Sequence, residues 1–184
     1  NRADNVKFLE NLITFTEPQS IPTIASSSLS NDNSYVDLTI SQAVYNTVVG
    51  SGALEASDFT LVFAQNSGNA TGVTISSIKK DDNTAEGSAT ALSGGETVVR
   101  VFLSITGKPS GVETVTITPT NGTSIYNALG LNMEASETTG AITLNDLLSP
   151  IITDVSIASD NSTITVTMSQ GVYNTNGGSG ALEA

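Results

Sequence analysis

The chain has 184 residues, enough for one domain, or for one domain with fragments of its neighbours. Eighteen acidic residues against six basic ones give a net charge of −12, which excludes nucleic acid and anionic membranes as direct partners because both are bound through Lys and Arg. The lack of Cys and His removes thiolate nucleophiles and the commonest general base, so no catalytic residues are assigned and an enzyme is not expected.

Alternating hydrophobicity and β-branched residues predict seven strands between residues 22 and 145. The predicted strands lie near residues 22–29, 34–41, 58–65, 70–78, 97–106, 112–119 and 138–145. In the second strand Val36, Leu38 and Ile40 point inward. The inward residues predicted for the third, fifth and sixth strands are Phe59, Leu61 and Phe63; Val99, Val101, Leu103 and Ile105; and Val115 and Ile117.

The same alternation predicts that Arg100 and Ser104 face outward from the fifth strand. Turn-forming runs of Gly, Asn, Asp and Ser separate the strands. No long helix is predicted, and one short helical turn is considered near residues 124–129. Seven short strands in a domain of this size predict an all-β fold, a seven-stranded immunoglobulin-like β-sandwich.

A repeat divides the chain. Residues 22–56 align without a gap with residues 150–184 at an offset of 128 positions, and residues 50–56 match residues 178–184 at every position. We therefore interpret residues 1–21 as the tail of a preceding repeat, residues 22–149 as one complete repeat, and residues 150–184 as the opening strands of the next. Two strands cannot bury a core alone, so either the native chain continues or another chain completes the fold.

The repeat resembles a known family. Residues 160–183, DNSTITVTMSQGVYNTNGGSGALE, are similar to the bacterial immunoglobulin-like tandem repeats of very large surface proteins and adhesins in marine Bacteroidetes and cyanobacteria. Residues 124–132, SIYNALGLN, resemble the corner of that family, with Asn127 in place of the usual Asp and Leu131 inserted. The resemblance implies a bacterial cell-surface or secreted location, a tandem arrangement, and roles in adhesion, gliding or surface layers, but it implies no ligand.

The junctions between repeats are the candidate sites. Asp and Glu are the ligands that Ca²⁺ prefers, and Asn33 adds an amide oxygen beside them. Five acidic residues are candidate calcium ligands: Asp32, Asp146 and Glu183 at the downstream junction, and Glu17 and Glu55 at the upstream one. The alternative is that Asp and Asn in turns serve turn geometry alone. No other cofactor is expected.

Three functions remain open. The first is a structural or adhesive module of a long extracellular stalk or filament, whose partners are neighbouring repeats or identical subunits. The second is a module that binds glycan or another surface through the loop at residues 79–96. The third is a fibre subunit completed in trans by strand addition. Tyr45, Tyr126 and Tyr173 are either packing residues at strand corners or exposed binding aromatics.

Overall fold

The computed structural model describes residues 19–175 and 178–182, and this part of the chain is all-β with antiparallel sheets. The strands are β1 (Ile24–Leu29), β2 (Tyr35–Tyr45), β3 (Phe59–Ala64), β4 (Gly72–Lys79), β5 (Glu96–Thr106), β6 (Thr114–Pro119), β7 (Tyr126–Asn127), β8 (Ile142–Thr143), β9 (Ile152–Ile157) and β10 (Ile164–Met168). A single turn of 3-10 helix, Ala56–Asp58, precedes β3. Within the described residues, no helix has the length and apolar character that a membrane crossing requires.

The strands form two sheets and a separate hairpin. One sheet has the order β1-β2-β5-β4, with β7 paired to the end of β2. The second sheet has the order β3-β6-β8. The two remaining strands, β9 and β10, pair only with each other among the described residues.

Both sheets contribute to one apolar core. Val36 and Leu38 of β2 and Val99 of β5 are fully buried in the same cluster as Ile117 of β6 and Phe59 of β3. The predicted inward sets of these strands are therefore confirmed, because alternate side chains of a strand point to one face. A core shared by two antiparallel sheets is compatible with a β-sandwich.

The predicted strands correspond to β1–β6 and β8, with differences at the ends. The second strand extends to Tyr45, and the last one shortens to Ile142–Thr143. The helical turn considered near residues 124–129 is wrong, since this segment contains β7. The Asn127 side chain accepts hydrogen bonds from the N–H groups of Leu129 and Leu131, both at 2.9 Å, and these bonds form a tight corner where a helix would need backbone partners.

Arg100 faces outward from β5 as predicted, yet only 6% of this residue is accessible. Its side chain lies on the outer face of the first sheet, where its Nε and Nη2 atoms donate to the two carboxylate oxygens of Asp37, both at 2.7 Å. Its Nη1 atom donates to the carbonyl of Asn83 at 2.8 Å, and its guanidinium lies 3.8 Å from the ring centre of Tyr35. The loop at residues 80–95 thus covers Arg100 on the outer face of the sheet, which the alternation alone does not predict.

The β9–β10 hairpin repeats the β1–β2 hairpin in geometry as well as in sequence. The turn residues Asn33 and Asn161 have positive φ angles of 61° and 59°. In both turns an aspartate Oδ1 accepts the N–H of the residue two positions later at 3.0 Å, Ser34 to Asp32 and Ser162 to Asp160. The 128-residue repeat therefore encodes one hairpin twice, while the boundary of the complete repeat at residue 149 stays a prediction.

The two hairpins differ in burial. Val36 and Leu38 of β2 are fully buried, whereas their counterparts Ile164 and Val166 of β10 are 65% and 49% exposed. The second sheet and β5 cover β2, and nothing in the described part of the chain covers β10 in the same way. The same alternation is therefore covered in the first copy and uncovered in the second among the described residues.

Candidate functional site

The end of the repeat around residues 30–34 and 145–148 is closed by two asparagines. Asn33 is fully buried; its Nδ2 donates to the carbonyl of Asn145 at 2.9 Å, and its Oδ1 accepts the Asn145 N–H at 2.8 Å. The Asn145 side chain in turn donates to the carbonyl of Ser30 at 3.0 Å. These bonds place the first turn of the repeat directly against the segment that leaves it.

The predicted calcium ligand Asp32 lies at this end of the repeat, but its carboxylate accepts hydrogen bonds from residues of the same turn. Its Oδ1 accepts the hydroxyls of Ser30 at 2.8 Å and of Ser34 at 2.6 Å, besides the Ser34 N–H. The hydrogen bonds from Ser34 and Ser30 lower the pKa of Asp32 below its usual value, because they favour the charged form. This geometry is what the turn-chemistry alternative predicts.

The other predicted ligands are scattered. Asp146 caps the linker by accepting the Leu148 N–H at 2.8 Å. Glu55 lies before the 3-10 turn, where its backbone N–H donates to Asp58 at 2.8 Å and its side chain is exposed. Glu17 and Glu183 lie outside the described residues. Across residues 19–175 and 178–182, no three acidic side chains gather into a group fit for a metal ion, so the calcium site stays a prediction.

The linker between the repeat and the β9–β10 hairpin is bonded on both sides. On one side, the N–H of Leu147 donates to the carbonyl of Pro109, in the loop between β5 and β6 of the complete repeat, at 2.9 Å. The Nε2 of Gln170, which follows β10, donates to the carbonyl of Leu148 at 2.8 Å. A cavity of about 370 Å³ lies at this joint, lined by Ser110, Asp146, Leu148, Ser149, Ile151, Ser169 and Gln170.

The upstream end has the same arrangement. Gln42, the counterpart of Gln170, donates through Nε2 to the carbonyl of Ser20 at 2.8 Å. Asn127 adds a second donor to that carbonyl at 3.2 Å and also donates to Oε1 of Gln42 at 3.1 Å. Sequence reasoning noted the repeated glutamine only as part of the alignment, because its partner is a backbone atom and leaves no sequence signal.

The sequence did not predict that the carboxylate of Glu113 is buried. Glu113 is fully buried and accepts hydrogen bonds from the N–H groups of Ala70 at 2.7 Å and Ser110 at 2.9 Å. Burial alone raises the pKa of Glu113, but the backbone N–H donors and the Ser110 hydroxyl outweigh it and lower the pKa to about 2. One sequence signal was present, since Glu113 shares the inward phase of Val115 and Ile117.

The loop at residues 79–96, proposed as a glycan contact, is fastened to the sheet. The Glu86 carboxylate accepts the hydroxyls of Ser76 at 2.9 Å and Ser77 at 2.5 Å. A shallow polar cleft of about 400 Å³ lies at the base of the loop, lined by Lys80, Asp81, Gly95, Glu96, Thr97 and Val98.

The tyrosines differ in their surroundings. Tyr45 packs closely against the backbone of Gly94 and Gly95. A Cβ atom added to either glycine would lie only 3.1 Å or 3.0 Å, respectively, from the Tyr45 side chain. Tyr126 is the cross-strand partner of Tyr45 between β7 and β2. Tyr173 is 55% exposed. The packing interpretation thus suits Tyr45 and Tyr126 better than it suits Tyr173.

The chain matches no protein-family model, no curated protein and no solved structure. The functional argument therefore depends on the geometry of the repeat and its joints.

Proposed function

We propose that the protein is a non-catalytic structural repeat module of a long bacterial cell-surface protein, in which immunoglobulin-like sandwiches follow one another. One observation carries the proposal: the hairpin, its turn and the glutamine bond to the linker recur at an offset of 128 residues. Units that recur with their joints extend in one dimension, so length scales with the number of copies. The resemblance to surface repeats supports the extracellular location, and neighbouring repeats are the partners.

The order of the strands supports the immunoglobulin-like assignment. If β7 is counted as part of a loop, the first sheet contains the first, second, fifth and fourth strands, and the second contains the third, sixth and seventh. The constant-type immunoglobulin sandwich has this division, with strands A, B, E and D in one sheet and C, F and G in the other. The shared core between the sheets agrees with that packing.

The open apolar face of β10 supports a further repeat. Its side chains have the sizes and the phase of the β2 residues that are buried in the first copy. An apolar strand face of this kind is stable in water only when another layer covers it.

Intact mass and peptide mapping of the protein isolated from its source test the array. We expect a chain well above the mass of 184 residues, with further copies spaced by about one repeat. A native chain that ends at residue 184 would contradict the covalent array and would support the alternative, a fibre subunit completed in trans by strand addition.

The second candidate function is glycan binding, which the polar cleft at the base of the 79–96 loop favours. Lys80 and Glu96 face each other there, with 3.6 Å between Nζ and Oε1, and could offer a donor and an acceptor to sugar hydroxyls. Glycan-array binding that disappears in Lys80→Ala would support this function. Binding that persists in this variant, or no binding by the wild type, would exclude the cleft.

The calcium prediction has its own test. Asp32 and Asp146 stand at the same end of the repeat, because Asn33 and Asn145 join their segments. A ligand that binds only the folded state raises the melting temperature. A melting temperature that is unchanged by excess calcium and by chelator would remove calcium from the joint.

A further inference from the structure

We propose that the joint between repeats is a clamped connector, in which side-chain amides hold a linker carbonyl and set the direction in which the chain enters each repeat. The inference rests on the proposed tandem array and adds to it how neighbouring units are oriented. It assigns Gln42, Asn127 and Gln170 as positioning residues.

The upstream clamp is a closed set of hydrogen bonds. The carbonyl of Ser20 accepts from Gln42 Nε2 at 2.8 Å and from Asn127 Nδ2 at 3.2 Å, and the two amides are joined at 3.1 Å. Asn127 is only 2% exposed. Hydrogen bonds shielded from water are stronger electrostatically than exposed ones, and a lost partner costs the desolvation of the group left behind.

Asn127 couples this clamp to the folded unit. Its Oδ1 accepts the N–H groups of Leu129 and Leu131, both at 2.9 Å, so the orientation of its amide follows from the bonds on both atoms. The Nδ2 atom is thereby directed at Ser20 and Gln42. An aspartate at this position would keep both bonds to Oδ1 and lose both donated bonds.

The downstream joint shows the clamp between two units. Leu147 is bonded to Pro109 of the preceding unit, and the next residue, Leu148, is bonded to Gln170 of the following hairpin. The Ile151 N–H donates to the Ser169 hydroxyl at 3.0 Å and fastens the start of the hairpin as well. The residue bonded to the preceding repeat and the residue bonded to the following hairpin are therefore adjacent, with no free residue between them. A flexible linker needs several residues without such bonds.

The consequence is a joint that transmits orientation. Domains linked by free residues move independently, while bonds on adjacent residues of the linker restrict bending to small changes. An array built from such joints behaves as a stiff rod, because each repeat keeps a fixed orientation relative to the one before it. Stiffness in this form comes from neutral amides and does not require a bound cation.

NMR relaxation of the full 184-residue chain tests the upstream clamp. We expect backbone order parameters of about 0.85 at residues 19–22 in the wild type, falling below about 0.6 in Asn127→Asp. A coupling across the hydrogen bond from Asn127 Nδ2 to the Ser20 carbonyl should be present in the wild type and absent in the variant. The matched control is Asn121→Asp, because Asn121 Oδ1 also accepts a backbone N–H, from Thr123 at 2.8 Å, but does not contact the linker.

Flexible residues 19–22 in the wild type, or an unchanged Asn127→Asp variant, would overturn the clamp. If Asn127→Asp does not fold, Gln42→Ala provides the same test, because it removes the shorter bond to Ser20 and leaves the 126–132 corner intact. Rigid residues 19–22 in Gln42→Ala would then contradict the proposal.

Spin-label distances test the downstream joint. The measurement uses a chain in which the following repeat is complete, because the β9–β10 hairpin cannot bury a core alone. The 184 residues contain no Cys, so Val62→Cys on β3 and Thr165→Cys on β10 provide exposed labels on the two sides. We expect a narrow distance distribution that broadens in Gln170→Ala and stays narrow in the control Gln65→Ala, which removes an amide-to-carbonyl bond inside one loop. A broad wild-type distribution would overturn the clamp but not the array, whereas a native protein without further repeats would overturn the array but not the measured stiffness.

Discussion

Replacement of Glu113 by Gln should remove most of the pH dependence of stability that this buried carboxylate contributes. The variant keeps the shape of the side chain, but its new NH₂ group replaces one carboxylate oxygen and therefore faces the N–H donor of either Ala70 or Ser110, which previously pointed at a charge. Hydrogen bonds to charged groups contribute more than neutral ones, and a buried donor left without an acceptor is costly. We expect Glu113→Gln to lower the free energy of unfolding by about 3 kcal/mol at about pH 7.

The magnitude follows from the pKa. Folding lowers the pKa of Glu113 from its ordinary value of 4.5 to about 2, and one pKa unit corresponds to about 1.4 kcal/mol, so the carboxylate contributes about 3 kcal/mol. Because the folded pKa is the lower one, this stability is fully present above the unfolded value. It is lost as the pH falls from about 5 through about 2, where the folded protein also takes up the proton.

Urea denaturation of the full chain at several pH values measures the effect. The difference between wild type and Glu113→Gln should be largest at neutral pH and should shrink steadily toward about pH 2. Glu134→Gln is the matched control, since Glu134 is exposed and its carboxylate has no hydrogen-bond partner among the described residues. A difference that stays constant with pH, or that is below about 0.5 kcal/mol at neutral pH, would refute the role assigned to the buried carboxylate.

Three further substitutions test other contacts. Gly68→Ala should lower the free energy of unfolding, measured by urea denaturation, by about 2 kcal/mol, because the added Cβ would lie 2.2 Å from the carboxyl carbon of the buried Glu113. The control Gly87→Ala should change it little, because no atom lies within 4 Å of the added Cβ. Arg100→Lys should cost about 2 kcal/mol and expose the 80–95 loop to protease, since lysine cannot form the paired bonds to Asp37; an unchanged digestion pattern would argue against this anchor. Asn33→Ala should be less stable than Asn33→Gly by about 1 kcal/mol in melting experiments, because glycine tolerates its φ of 61°, and equal stabilities would exclude backbone strain there.

The strand predictions succeeded where the information is local. Val36, Leu38 and Ile40 alternate with polar residues, and a strand with one buried face requires this pattern whatever its partners are. The turn at residues 31–33 was equally readable, since Asn adopts positive φ more easily than most residues and Asp caps the backbone beside it. The repeat was recognised because both copies preserve these local features.

The joint was predicted only in part. The sequence indicated that Asn33 and Asp146 belong to one end of the repeat, and Asn33 does bond to the residue before Asp146. Which groups make the bonds was not predictable, because amide side chains bond there to backbone atoms, and every residue has those. The acidic residues stood out in the sequence, yet Asp32 and Asp146 hold their own turns.

The sequence by itself determined the approximate positions of seven strands, the phase of their alternating side chains and the 128-residue repeat, because each depends on residues that are neighbours along the chain. Only the tertiary structure decided that Arg100 is covered and that Glu113 is charged in the interior, because their partners Asp37 and Ala70 are 63 and 43 residues away. The same holds for β2 and β10. The two strands have the same alternation of apolar and polar residues, but the burial of their apolar side chains depends on which other strands pack against them. The sequence of one strand does not specify those partners.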